Sequence, residues 1–215
     1  NINNLDAWIR GFSQRFLALV DNDKSTLSYL ANISARIKLL QAPVRAGVMS
    51  QGQPCNSWYD IDLKNSLYTK SDADLNAPAL RLVYKNNRGA YRRIVQVLEP
   101  AAAKQLFGLA RRIVIGGFSQ GCGLALYEGM RSKYSLGGII GYSGRMFDFT
   151  PLNNLGKTPV LLFHGTADNV LPESISRQSY SRLLGHPSVT YVPMQGMAHS
   201  VDPTGYQMTS TVKFL

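Results

Sequence analysis

A chain of 215 residues that is 45% hydrophobic can bury a full core as one domain, so a single domain over residues 1–215 is expected. The formal charge of +10 raises nucleic acid as a partner, but no zinc finger, basic-aromatic RNA motif or recognition-helix pattern accompanies it, and that class is set aside. No apolar stretch approaches the length of a membrane span, and two cysteines, Cys55 and Cys122, make no disulfide framework, so a reducing cytoplasm is the expected compartment.

The first element is a helix, because Leu5, Trp8, Ile9, Phe12, Phe16, Leu19 and Val20 recur on one face. From Pro43 to Leu75 the chain is polar and rich in Gly and Pro, which reads as a long functional loop with short pieces of structure. A second helix near Ala79 to Leu98 carries Leu80, Val83, Tyr84, Tyr91, Ile94 and Leu98 on one side. On another it carries Arg81, Lys85, Arg88 and Arg92, a basic stripe that is either a solvated face or a contact for an anionic membrane surface or acidic partner.

Arg111 to Tyr127, RRIVIGGFSQGCGLALY, reads as a buried strand passing through a tight turn into an apolar helix. Ile113, Val114 and Ile115 suit a central parallel strand, and Gly117 and Gly121 remove the Cβ atoms that would crowd a strained Ser119 between them. This is the pattern of a nucleophile elbow, and its competitor is an ordinary strand-to-helix turn. Further on, a strand over Pro159 to Phe163 leads through a loop to a helix near Glu173 to Leu184. A strand over Val189 to Pro193 then leads into the small-residue loop Gly196 to Ser200, and Asp202 and Pro203 announce a last helix as N-cap and first residue. Strands alternating with helical patterns favour a parallel sheet covered on both faces.

A serine hydroxyl is a poor nucleophile at neutral pH and needs a histidine in hydrogen-bond reach, usually with a carboxylate that holds the imidazole's tautomer. Of three histidines, His199 lies in a strand-end loop, where α/β enzymes hold catalytic groups. His164 ends an apolar run, which suits packing or a hydrogen bond at a strand terminus, and His186 precedes Pro187 in a surface turn. For the acid, Asp168 follows a strand and falls between Ser119 and His199, the α/β-hydrolase order; its competing reading is a turn former. Asp148 belongs to a polar loop, Glu173 reads as a helix first-turn residue and Asp202 as a cap. The backbone N–H of Gln120, at the start of the helix after the elbow, is the expected oxyanion donor.

The segments GGFSQG, HGTADNVLP, GMAHS and, upstream, PCNSWYDI resemble, in combination and over nearly the whole chain, the carboxylesterase and phospholipase family that includes acyl-protein thioesterases. The resemblance implies an α/β-hydrolase fold with a mostly parallel sheet, and a triad of Ser119, Asp168 and His199. It also implies no metal or organic cofactor, and acyl ester, lysophospholipid or acylated-protein substrates. Trp58 and Tyr59 match the family's aromatic pair, either as substrate-cleft wall or as satellite core. In the family, a first buried strand ends in a His-Gly-x-Gly loop that donates a second oxyanion N–H. This chain opens at Asn1 with residues that resemble those just after that loop, so the family's first strand and oxyanion loop are expected to be missing from it. The rivals are a hydrolase of another carbonyl, such as a peptide or lactone, and a binding protein that kept the fold with weakened turnover. Cys122, where the family usually has a small residue, is expected to pack as a small hydrophobe. The positive charge suits enrichment near anionic lipid, and the sequence leaves the oligomeric state open.

Overall fold

The computed structural model describes residues 42, 44–46, 51–59, 110–202 and 205–215. The expected helix from Leu5 to Val20, the basic-striped helix near Ala79 to Leu98 and most of the 43–75 segment lie outside the described residues. Two compact units divide the chain, Asn1–Ala73 with Val201–Phe214, and Asp74–Ser200 with Leu215.

In the first unit, β1 (Val44–Ala46) pairs antiparallel with β2 (Pro54–Asn56), Arg45 opposite Cys55. The turn between them uses positive φ at Gln51 and Gly52, and the Asn56 side chain donates to the Ala42 carbonyl at 2.7 Å. The last helix of the chain also belongs to this unit and begins at Tyr206 rather than directly after Asp202. Asp202 still caps it: its carboxylate accepts the Gln207 amide at 3.0 Å, while the Gln207 side chain accepts the Asp202 amide at 2.8 Å. The exchange works as a capping box does, because each side chain satisfies a backbone donor that the helix cannot. Pro203 lies outside the described residues.

The second unit is built on a parallel sheet. Among the described residues its strands run in the order β3 (Val114–Phe118), β4 (Gly138–Tyr142), β5 (Val160–Gly165) and β6 (Val189–Met194), every neighbouring pair parallel. Every residue of β4 and β5 is buried, as expected of parallel strands covered by other elements. The sequence places the first of these strands on Ile113 to Ile115. It runs on to Phe118 because Gly116 and Gly117 pair in register with Ile140 and Gly141.

Helix α1 (Gln120–Arg131) follows β3 and turns Cys122, Gly123, Ala125, Leu126, Gly129 and Met130 inward, a stripe at helical spacing. Gly129 sets how close it comes to the sheet, since a Cβ there would fall 2.4 Å from the Ile139 side chain. Leu126, Met130, Ile139, Val160, Leu162, Tyr180 and Leu183 are fully buried around this contact, each apolar side chain contributing roughly 1.5–3 kcal/mol by burial. The C-terminal carbonyls of α1 are met by one side chain: the Asn154 amide donates to Gly129 at 2.9 Å and Ser132 at 2.6 Å, and to Tyr134 at 3.0 Å just beyond.

Helix α2 (Glu173–Ser179) stops short of the expected Leu184. Beyond it, bonds from Ser181 to Gln178 and from Leu183 to Tyr180 tighten the chain into turns, which brings Tyr180 and Leu183 together into the core before Gly185 takes a positive φ. The final helix of the first unit is α3 (Tyr206–Phe214).

Candidate active site

Ser119 follows the last residue of β3 and precedes the first of α1, with φ 52° and ψ −115°, a conformation that non-glycine residues avoid and that costs about 1–3 kcal/mol. Its surroundings over-determine it. The Ser119 amide donates to the Tyr142 carbonyl at 2.8 Å, and its carbonyl accepts the Cys122 amide at 3.0 Å. A Cβ on Gly117 would lie 2.1 Å from the Gly121 backbone, and one on Gly144 would lie 2.6 Å from the Ser119 carbonyl. Gly117 thus follows from the motif, whereas Gly144 lies in the loop after β4 and carries no local signal.

His199 lies in the loop after β6, and its ring bridges two partners. Nε2 is 3.1 Å from Ser119 Oγ and Nδ1 is 2.6 Å from Asp168 Oδ2. With the carboxylate on the Nδ1 side, the hydrogen there is donated and Nε2 is left to accept from the serine hydroxyl. The Phe118 ring packs against the imidazole at a centroid distance of 4.9 Å. All three chemical groups thus come from loops at the carboxyl ends of parallel strands, where open α/β sheets form their sites.

The loop after β5 is wound around the Asp168 carboxylate. Oδ1 accepts the amides of Val170 at 2.9 Å and Leu171 at 2.8 Å, while Oδ2 faces His199 and, at 3.3 Å, His164 Nε2. Burial works to raise the Asp168 pKa, but it is outweighed by the hydrogen bonds from His164, His199 and the Leu171 amide and by the charge of His199. The carboxyl is held well below the usual carboxylate range. One oxygen of Asp168 thus organises the turn while the other faces the histidine.

Gln120 is the first residue of α1, which puts its backbone amide at the positive end of the helix dipole beside Ser119. Cys122 is fully buried against Gly141 and Gly144, where desolvation pushes its thiol up to about 12 despite hydrogen bonds with Tyr180 and Gly144; it packs as the small hydrophobe expected. His186 accompanies Ser188 in a turn, at 2.9 Å from its hydroxyl. Glu173 opens α2 and accepts the Tyr191 hydroxyl at 2.7 Å. Trp58 and Tyr59 belong to the first unit, Tyr59 buried and Trp58 half-buried. His164 is the strand-terminal group the sequence suggests, in β5, and the one local signal of its approach to Asp168 is its place four residues before it.

Among the described residues, no group of three or more His, Cys, Asp or Glu could hold a metal ion, and no helix is long and apolar enough to cross a membrane.

Residues 39–215 match the phospholipase/carboxylesterase family of the α/β-hydrolases. The chain is 29% identical over 206 residues to acyl-protein thioesterase 1 of Schizosaccharomyces pombe, covering 86% of this chain and 84% of that protein. To acyl-protein thioesterase 1 of Yarrowia lipolytica it is 31% identical over 168 residues, 74% of this chain and 68% of that one. A crystal structure of a SOBER1 variant from Arabidopsis thaliana superposes with a TM-score of 0.62 at 20% identity, covering 86% and 85% of the two chains, which speaks for the fold. With a match that takes in the elbow, the Asp168 loop and the His199 loop together, the chain belongs to the phospholipase/carboxylesterase family of α/β-hydrolases.

Proposed function

We propose that the protein hydrolyses acyl esters and thioesters through a Ser119–His199–Asp168 triad, as a thioesterase or lysophospholipase of soluble or lipid-borne acyl groups. The observation that carries this reading is the unbroken hydrogen-bonded chain from Ser119 Oγ through both nitrogens of His199 to Asp168 Oδ2. Family membership supports the reaction class, and the names of the relatives, acyl-protein thioesterases, support acylated protein among the substrates.

In the first step Ser119 Oγ attacks the acyl carbonyl carbon while His199 Nε2 takes its proton, and Asp168 stabilises the resulting imidazolium. The carbonyl oxygen becomes an oxyanion that accepts from the Gln120 amide. Collapse breaks the bond to the alcohol or thiol, which leaves with the proton from His199, and the acyl group remains on Ser119. Water, deprotonated by His199, then releases the carboxylic acid and restores the serine.

The separation of 3.1 Å between base and nucleophile favours turnover over a binding role that merely kept the fold. Assignment of Trp58 and Tyr59 to the acyl-chain wall rests on the family motif. The charge of +10 supports enrichment near anionic lipid headgroups, and two cysteines that are both free thiols support a reducing cytoplasm. The test is Ser119→Ala, assayed on p-nitrophenyl acyl esters, an acyl thioester and a fluorophosphonate probe. Hydrolysis and labelling should both vanish, and a labelled alanine variant would remove Ser119 from the mechanism.

A further inference from the structure

His164 stands in β5 with no exposed side-chain surface, and its two nitrogens differ sharply in what surrounds them. Nε2 lies 2.8 Å from the Leu171 carbonyl and 3.3 Å from Asp168 Oδ2, both acceptors, whereas Nδ1 is buried with no hydrogen-bond partner. A hydrogen on Nδ1 would have no acceptor, so the ring carries it on Nε2, shared between the carbonyl and the carboxylate. A closed ring of contacts results: His164 to Leu171 O, the Leu171 amide to Asp168 Oδ1, and Asp168 Oδ2 back to His164.

The rotation of an aspartate carboxylate about its last torsion is soft, and two amides on Oδ1 anchor only one of its oxygens. The other oxygen, Oδ2, is faced by His164 Nε2 at 3.3 Å and by His199 Nδ1 at 2.6 Å, so a donor from His164 there adds a second hold on the plane of the group. We infer that His164 is a positioning residue for hydrolysis: it orients Asp168 so that one carboxylate oxygen addresses His199. This rests on the triad reading, since His164 acts on Ser119 only through Asp168 and His199.

The test compares His164→Gln, whose side-chain amide can place a donor where Nε2 stands, with His164→Asn, whose donor falls on the Nδ1 side, and His164→Leu, which has none. Each is assayed on a p-nitrophenyl acyl ester beside Ser119→Ala, with thermal unfolding recorded for all. His164→Gln should keep kcat within about fivefold of the wild type. His164→Asn and His164→Leu should lose roughly a hundredfold in kcat with KM within about threefold, the cost of a misdirected base. Wild-type kcat in folded His164→Leu or His164→Asn overturns the proposal. So does a His164→Gln variant as impaired as His164→Asn, because the loss would then follow the missing ring and not the missing donor. If His164→Leu does not fold, the Gln and Asn pair decides. Full activity in Ser119→Ala would instead overturn the triad, an outcome distinct from any of these.

Discussion

A Cβ on Gly165 would stand 2.1 Å from the Met197 carbonyl oxygen, so the end of β5 and the loop that carries His199 are in direct backbone contact. The Ala167 amide reinforces this by donating to the same carbonyl at 3.0 Å. The loop that carries His199 is therefore seated on the loop that carries Asp168.

Gly165→Ala should push the two loops apart by displacing the Met197 backbone, which no side-chain rotation can relieve. Steady-state kinetics on an acyl ester should show kcat down about a hundredfold with KM little changed, because the nucleophile and oxyanion side stay in place. Unaltered kcat would mean that the His199 loop can shift without carrying the imidazole off Ser119.

Asp168→Asn should lower kcat by roughly 10⁴, since an amide in place of Oδ2 cannot hold the histidine in the tautomer the base needs. The stability effect has a definite direction with pH. The folded-state pKa of Asp168 is depressed below the unfolded value near about 3.9, so its stabilisation is fully present above that value and is lost as pH falls toward the folded one. Urea unfolding of wild type and Asp168→Asn should differ by a constant amount from about pH 5 to 8 and converge below about pH 4. A difference that stays constant down to about pH 3 would contradict the depressed carboxyl.

Cys122, three residues past Ser119, should resist alkylation in the folded protein, because its thiol is fully buried and titrates only near about 12. Peptide mapping after iodoacetamide at neutral pH should find Cys122 modified only once urea is present. Modification at the native rate of a free thiol would show that the pocket between Gly141 and Gly144 opens.

Asn154→Ala should remove the donor for the Gly129 and Ser132 carbonyls at the end of α1, while the Tyr134 carbonyl keeps the Ser132 hydroxyl at 3.0 Å. Leaving such groups unpaired should cost about 2–4 kcal/mol, read as a lower melting temperature, while kcat/KM at room temperature stays unchanged. Wild-type stability would imply that the α1 terminus finds other partners.

Much of the candidate site is legible in the residues because its chemistry is written in short segments. A strained serine needs glycine at 117 for a steric reason that acts over four residues, and a carboxylate that winds its own loop needs only the amides two and three positions on. The strands before these motifs are legible for the same reason, being continuous apolar runs. Strand β4 is less so, since its GIIGY run has no adjoining motif and becomes a strand by pairing with Val114–Phe118 on one side and β5 on the other. The end of α2 is not legible, because Tyr180 and Leu183 continue a helical spacing, yet core packing turns the chain there.

By itself, then, the sequence determines the candidate site residues, their order along the chain and the parallel-sheet class, since local sterics and hydrophobic pattern act between near neighbours. Only the tertiary structure decides that His199 meets Ser119 across 80 positions, that Gly144 and Gly165 must lack a Cβ, and that a second histidine shares the Asp168 carboxylate. Those relationships arise where separate strands end side by side, and no local pattern records which strand ends those are.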